Sequence, residues 1–126
     1  MTIAITTPRA LLALFLGAAL MGGCATTAPP TEKMESSAAS IRGAEQAGAE
    51  NVPRAALYLQ LANEQSAKAK TLIASGGEDN MKAASNLLMR ASADGELAIA
   101  LADDDKARLA AEAAVADIQT FKQQTK

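Results

Sequence analysis

The sequence has no histidine, no tryptophan and a single cysteine among its 126 residues. Without imidazole the commonest general base is missing. One thiol, Cys24, cannot form an intramolecular disulfide. Beyond residue 23 the only aromatic side chains are Tyr58 and Phe121, so no platform exists on which nucleotide bases would stack. Charge of one sign is also lacking: 12 Lys and Arg face 14 Asp and Glu, for a net charge of −2. Phosphate binding needs a basic stripe, and none is present. These absences argue against nucleic-acid partners and against thiol or histidine catalysis. The expectation is a non-enzymatic protein with no catalytic residues, no metal and no cofactor.

Long hydrophobic runs are absent too. The apolar run Ala10 to Met21, preceded by Arg9, is about twelve residues, against the roughly 20 needed to span a bilayer. Its length and the Gly22-Gly23 that follows match a secretory signal. The segment L-M-G-G-C resembles the bacterial lipobox, with Met21 and Gly22 as departures from the usual residues. Residues 1–23 are therefore expected to be a lipoprotein signal peptide, and Cys24 the lipidated N-terminus carrying palmitate-type chains. Each buried CH₂ of an acyl chain contributes about 0.8 kcal/mol to membrane attachment. Ala25, where an Asp would favour the inner membrane, suggests the periplasmic face of the outer membrane. Residues 24–30, with Pro29-Pro30, form a short linker.

What the rest contains in abundance is alanine, the best helix former. The expected fold for residues 31–126 is all-α. It is an antiparallel helical hairpin or small three-helix bundle with Ala-rich coiled-coil packing and a long C-terminal helix. A first helix is expected over about 31–47, capped by Thr31, with Met34, Ala38, Ile41 and Ala44 on one stripe and Gly48 as its stop. A second, about 53–74, opens on Pro53, which suits a first turn. Its seam is Ala55, Leu59, Ala62, Ser66, Ala69 and Ile73. Ser75-Gly76-Gly77 ends it, with Gly76 expected in a left-handed conformation and Asp79 expected to cap the third helix. The third seam is Met81, Ala84, Leu88, Ala91, Gly95, Ala98 and Ala102. Both seams alternate steps of three and four, the coiled-coil period. Folding about the glycines sets Ile73 against Met81, Ser66 against Leu88 and Leu59 against Gly95, large against small.

After Ala102 the pattern changes phase. Asp103-Asp104-Asp105 is followed by a new stripe, Ala107, Ala111, Ala114, Ile118 and Phe121. Either the helix continues and the stripe needs a partner, or the aspartates cap a fourth helix that buries it. Continuity is favoured because no Gly or Pro marks a turn.

Other constellations read as ordinary surface. Ser66 and Lys70 are one turn apart, but Ser66 is on the seam and a Ser-Lys dyad is not expected. Three consecutive helical carboxylates point about 100° apart, so Asp103–Asp105 do not converge on a cation. Glu64–Lys68 and Asp104–Arg108 are i,i+4 pairs, each worth about 0.2–0.5 kcal/mol.

Two resemblances bear on function. The stretches S-A-A-S-I-R-G-A-E-Q-A-G-A, P-R-A-A-L-Y-L-Q-L-A-N-E-Q and A-A-S-N-L-L-M-R-A-S-A-D-G-E-L-A-I-A resemble a family of bacterial lipoproteins known as domain of unknown function 4398. Asp94-Gly95 stands where that family usually has Asp-Ala. The resemblance implies a helix, a Pro-initiated second helix, a Gly turn and a long Ala-rich helix, and no activity. The lipidated Cys, Ala-rich heptads and terminal Lys126 are similar to the major murein lipoprotein of enteric bacteria. That similarity makes Lys126 a candidate peptidoglycan link, though the ending F-K-Q-Q-T-K differs.

The leading expectation is an outer-membrane lipoprotein acting as a periplasmic scaffold or accessory subunit of a cell-envelope assembly. Its partners would be the membrane, through the lipid, and another protein or a second copy through the stripe Ala107, Ala111, Ala114, Ile118 and Phe121. The alternatives are a murein-type tether to peptidoglycan and a regulator of an envelope hydrolase.

Overall fold

A computed structural model describes residues 28–125. Residues 1–27, which include the expected signal peptide and Cys24, and Lys126 lie outside the described residues. Three helices account for nearly all of the rest: α1 (Thr31–Gln46), α2 (Pro53–Ser75) and α3 (Glu78–Gln124), with one 3-10 turn at Ala49–Asn51 between α1 and α2. No strand occurs among the described residues.

Helix starts and stops follow local chemistry, with two corrections. α1 begins at Thr31 itself, behind Pro30, and no side chain caps it. α3 begins at Glu78 directly after Gly77, so Asp79 sits in the first turn and is not the cap. There its charge complements the positive end of the helix dipole. Gly48, Gly76 and Gly77 all have positive φ, at 76°, 69° and 87°. Only glycine takes such angles without strain, so the reversal between α2 and α3 occupies just two residues.

The seams expected for the hairpin are the buried ones. On α2 these are Ala55, Leu59, Ala62, Ser66 and Ala69, and on α3 they are Ala84, Leu88, Ala91, Gly95, Ala98 and Ala102. Ile73 and Met81, beside the turn, are half-buried. The core is thin. Among fully buried side chains the largest are Leu88 and Ser37. Hydrophobic burial contributes about 25 cal/mol per Å², so methyl-sized side chains must compensate by letting helices approach closely.

α1 packs mainly on α3 and less on α2. It buries Ser37, Ile41 and Ala44, so the buried face is turned slightly from the expected stripe, with Ala38 only half-covered. Its contacts climb α3 in step: Lys33 bonds Ser85, Ser36 and Ser40 bond Ser92, and Ser40 lies at Gly95. α1 and α3 therefore run parallel. The N-terminal end of α1 and the Gly76-Gly77 turn share one end of the bundle.

α3 is continuous through Asp103–Asp105 and has 47 residues against 23 in α2. At 1.5 Å per residue these are about 70 Å and about 35 Å. Residues 103–124 thus leave the bundle at the end opposite the turn and project alone. The alternative of a fourth helix folded back at the aspartates is excluded.

Candidate functional site

Gly95 is where α1 crosses α3. A Cβ there would lie 2.8 Å from Ser40 Cβ, 3.0 Å from the Ser40 carbonyl carbon and 3.2 Å from the Ile41 nitrogen. The small residue was expected to make room for Leu59; the nearest atoms belong instead to Ser40 and Ile41 of α1. Gly43 of α1 likewise faces Ile99, whose Cδ1 would lie 2.9 Å from an added Cβ.

Polar side chains line this α1–α3 crossing. Ser92 Oγ lies 3.1 Å from Ser36 Oγ and 3.0 Å from Ser40 Oγ. Lys33 Nζ donates to Ser85 Oγ at 2.5 Å. Sequence reasoning passed over these serines, although Ser36, Ser37 and Ser40 on one helix and Ser85 and Ser92 on another share helical spacing. Their hydroxyls bond one another or backbone carbonyls, as Ser37 does to Met34. The set is a structural seam.

Between α2 and α3, Gln65 Nε2 donates to Asp94 Oδ2 at 2.6 Å. Helical side chains lean toward the N-terminus of their own helix. In antiparallel helices Gln65 and Asp94 therefore lean toward each other. The Gln65 Oε1 atom is buried without a hydrogen-bond partner.

The constellations weighed for chemistry do not assemble. Ser66 is buried at 7% exposure while Lys70 is exposed. Both line a groove of about 340 Å³ with Met34, Glu35, Ala38, Arg42 and Leu88, and no hydrogen bond joins them. Asp103 pairs with Lys106 at 3.4 Å, and Asp105 with Arg108 at 2.6 Å. No group of three or more metal-binding side chains converges among the described residues. Arg108 binds Asp105 and, at 2.7 Å, Glu112, rather than Asp104 as expected. Hydrogen bonds to Asp105 and then Glu112 raise its already high pKa. Glu64 accepts from Gln60 at 2.7 Å, and the expected pair with Lys68 does not form among the described residues.

The remaining feature is the projecting half of α3. Every residue from Lys106 to Thr125 is exposed. Ala107, Ala111, Ala114, Ile118 and Phe121 are all among them, with Ile118 at 54% and Phe121 at 67%. The five-residue step from Ala102 to Ala107 turns this stripe about 140° from the buried seam. It faces away from the side of α3 that α2 covers. Leu109, 52% exposed, lies on the other side as the continuation of the seam. No helix among the described residues is long and apolar enough to cross a membrane.

Comparison with models of known protein families, with curated proteins and with solved structures finds no match.

Proposed function

We propose that this chain is a non-enzymatic lipoprotein, anchored through Cys24 to the periplasmic face of the outer membrane. It acts as a scaffold or accessory subunit of an envelope assembly. The observation that carries this reading is the projecting, apolar-striped half of α3. The stripe of Ala107, Ala111, Ala114, Ile118 and Phe121 has no partner within the bundle, and in proteins most helical stability comes from packing of an amphipathic face. A surface of this kind is built to be covered.

The anchor gives the projection a direction. Pro30 follows the lipobox cysteine by six residues, and α1 starts beside the α2–α3 turn. The anchored end of the bundle is thus the turn end, and α3 reaches about 33 Å beyond the opposite end, away from the membrane. The lipobox-like L-M-G-G-C and the resemblance to lipoproteins of domain of unknown function 4398 support the anchor. The same geometry favours, as a second reading, a tether: α3 points away from the turn end, and the candidate link Lys126 lies outside the described residues.

Cell fractionation of the full chain and its Cys24→Ser variant tests the anchor. The native chain is expected in the outer-membrane fraction, acylated, and the variant unprocessed and unacylated. A variant that is processed and membrane-bound like the native chain contradicts the reading.

A further inference from the structure

We infer that a second copy of this chain covers the projecting stripe, with the two α3 helices parallel and in register. This deepens the scaffold reading by naming the partner, and one of its two supports rests on that reading.

The first support is charge. With Ala111 and Ile118 at heptad position a, and Ala107, Ala114 and Phe121 at d, the flanking positions are fixed. Arg108, Val115 and Lys122 fall at e, and Asp103, Ala110 and Asp117 at g. In a parallel pair each g residue faces the e residue five places later on its neighbour, and such contacts set partner choice and orientation. Asp117 then faces Lys122 of the second copy, Asp103 faces Arg108, and Ala110 faces Val115. Every flanking contact is attractive or apolar. An antiparallel pair centred on Val115 brings Arg108 against Lys122, like against like. Asp117 and Lys122 are exposed and make no ion pair within their own chain among the described residues. Arg108 is already held by Asp105 and Glu112, so the Asp117–Lys122 pair decides the orientation.

The second support is direction. Two chains anchored at their N-termini in one membrane point their projections the same way, which is the parallel arrangement. A shared surface also raises the effective concentration of the pair. At the base of the stripe Asp104 takes an a position and would face its own copy. The seam therefore opens there, and close contact is confined to residues 107–122.

Disulfide cross-linking of the full chain in isolated membranes tests this. Parallel helices in register bring residue 118 of the two copies within the roughly 4.4–6.8 Å Cα separation of a disulfide. Oxidised Ile118→Cys is expected to give a covalent dimer, absent from the native chain and from Leu109→Cys on the far side of the helix. Asp117→Lys should reduce that product several-fold, and adding Lys122→Asp should restore it. A membrane-bound Ile118→Cys chain with no dimer, equal products at 109 and 118, or no rescue by the double charge exchange overturns the inference and leaves the anchored scaffold standing. If the chain is absent from the membrane fraction, the anchored reading fails. The same cross-links on purified full chain then decide the pairing.

Discussion

Gly95 of α3 and Ser40 of α1 stand so close that a Cβ on the glycine would lie 2.8 Å from that of the serine. The same Cβ would press on the Ser40 carbonyl carbon at 3.0 Å and the Ile41 nitrogen at 3.2 Å. Backbone cannot swing aside as a side chain can. The crossing of α1 over α3 is therefore set by the one residue of α3 without a side chain.

This contact separates two glycines that look alike in the sequence. Gly95→Ala is expected to destabilise by about 1–3 kcal/mol through overpacking, despite the gain in helix propensity. Gly95→Leu should be worse, and Glu96→Leu on the exposed side mild. Gly43→Ala meets only the tip of Ile99, so the propensity gain of up to about 1 kcal/mol should offset the contact. Urea denaturation of the four variants checks the order. Equal effects at Gly95 and Gly43 would contradict the described crossing.

A second prediction concerns the bond between the hairpin helices. Asp94→Ala removes the acceptor of Gln65 Nε2 and leaves a partly buried amide without either partner, at a cost of about 1–3 kcal/mol. Gln65→Leu removes donor and orphan oxygen together and should cost less. Thermal melts that rank the two in the opposite order would show that the bond does not form.

The acidic run supplies a third. Asp103 and Asp105 are engaged by Lys106 and Arg108 on the helix surface, and the three carboxylates diverge. Millimolar calcium or magnesium is expected to leave the melting temperature unchanged. A rise of several degrees with calcium, absent in Asp104→Asn, would reveal a site that the geometry does not provide.

The hairpin was legible in the sequence because its signals are periodic and punctuated. Steps of three and four from Ala55 to Ala69 and from Ala84 to Ala102 mark the buried seams, and Gly76-Gly77 marks the reversal. The absence of Gly and Pro after Gly95 foretold that α3 continues through the aspartates. The placement of α1 was not legible. Its face is Ser37, Ile41 and Ala44, and the surfaces offered by α2 and α3 are both rows of alanine, so size alone does not distinguish them. The choice is made by small polar residues, Ser36 and Ser40 meeting Ser92, and by the missing side chain of Gly95. Helix caps were misjudged for a related reason: Pro30 and Gly77 set the backbone entry angle themselves, which left Thr31 and Asp79 inside the first turn.

The stripe of the projecting half was found by phase alone, and its exposure gives that phase meaning. Glu at Ile118 and Phe121 would place charge where the covering surface must lie without touching the monomer core, since both side chains are exposed.

Sedimentation velocity of the full chain in mild detergent, alongside the Ile118→Glu, Phe121→Glu double variant, tests the central claim most directly. The native chain is expected to shift from monomer toward dimer as concentration rises. The double variant should stay monomeric, with the helical content and melting temperature that the native chain has at concentrations where it too is monomeric. A native chain that remains monomeric throughout the range, or a double variant that loses stability as a core substitution would, contradicts the account of α3 as an exposed surface for association.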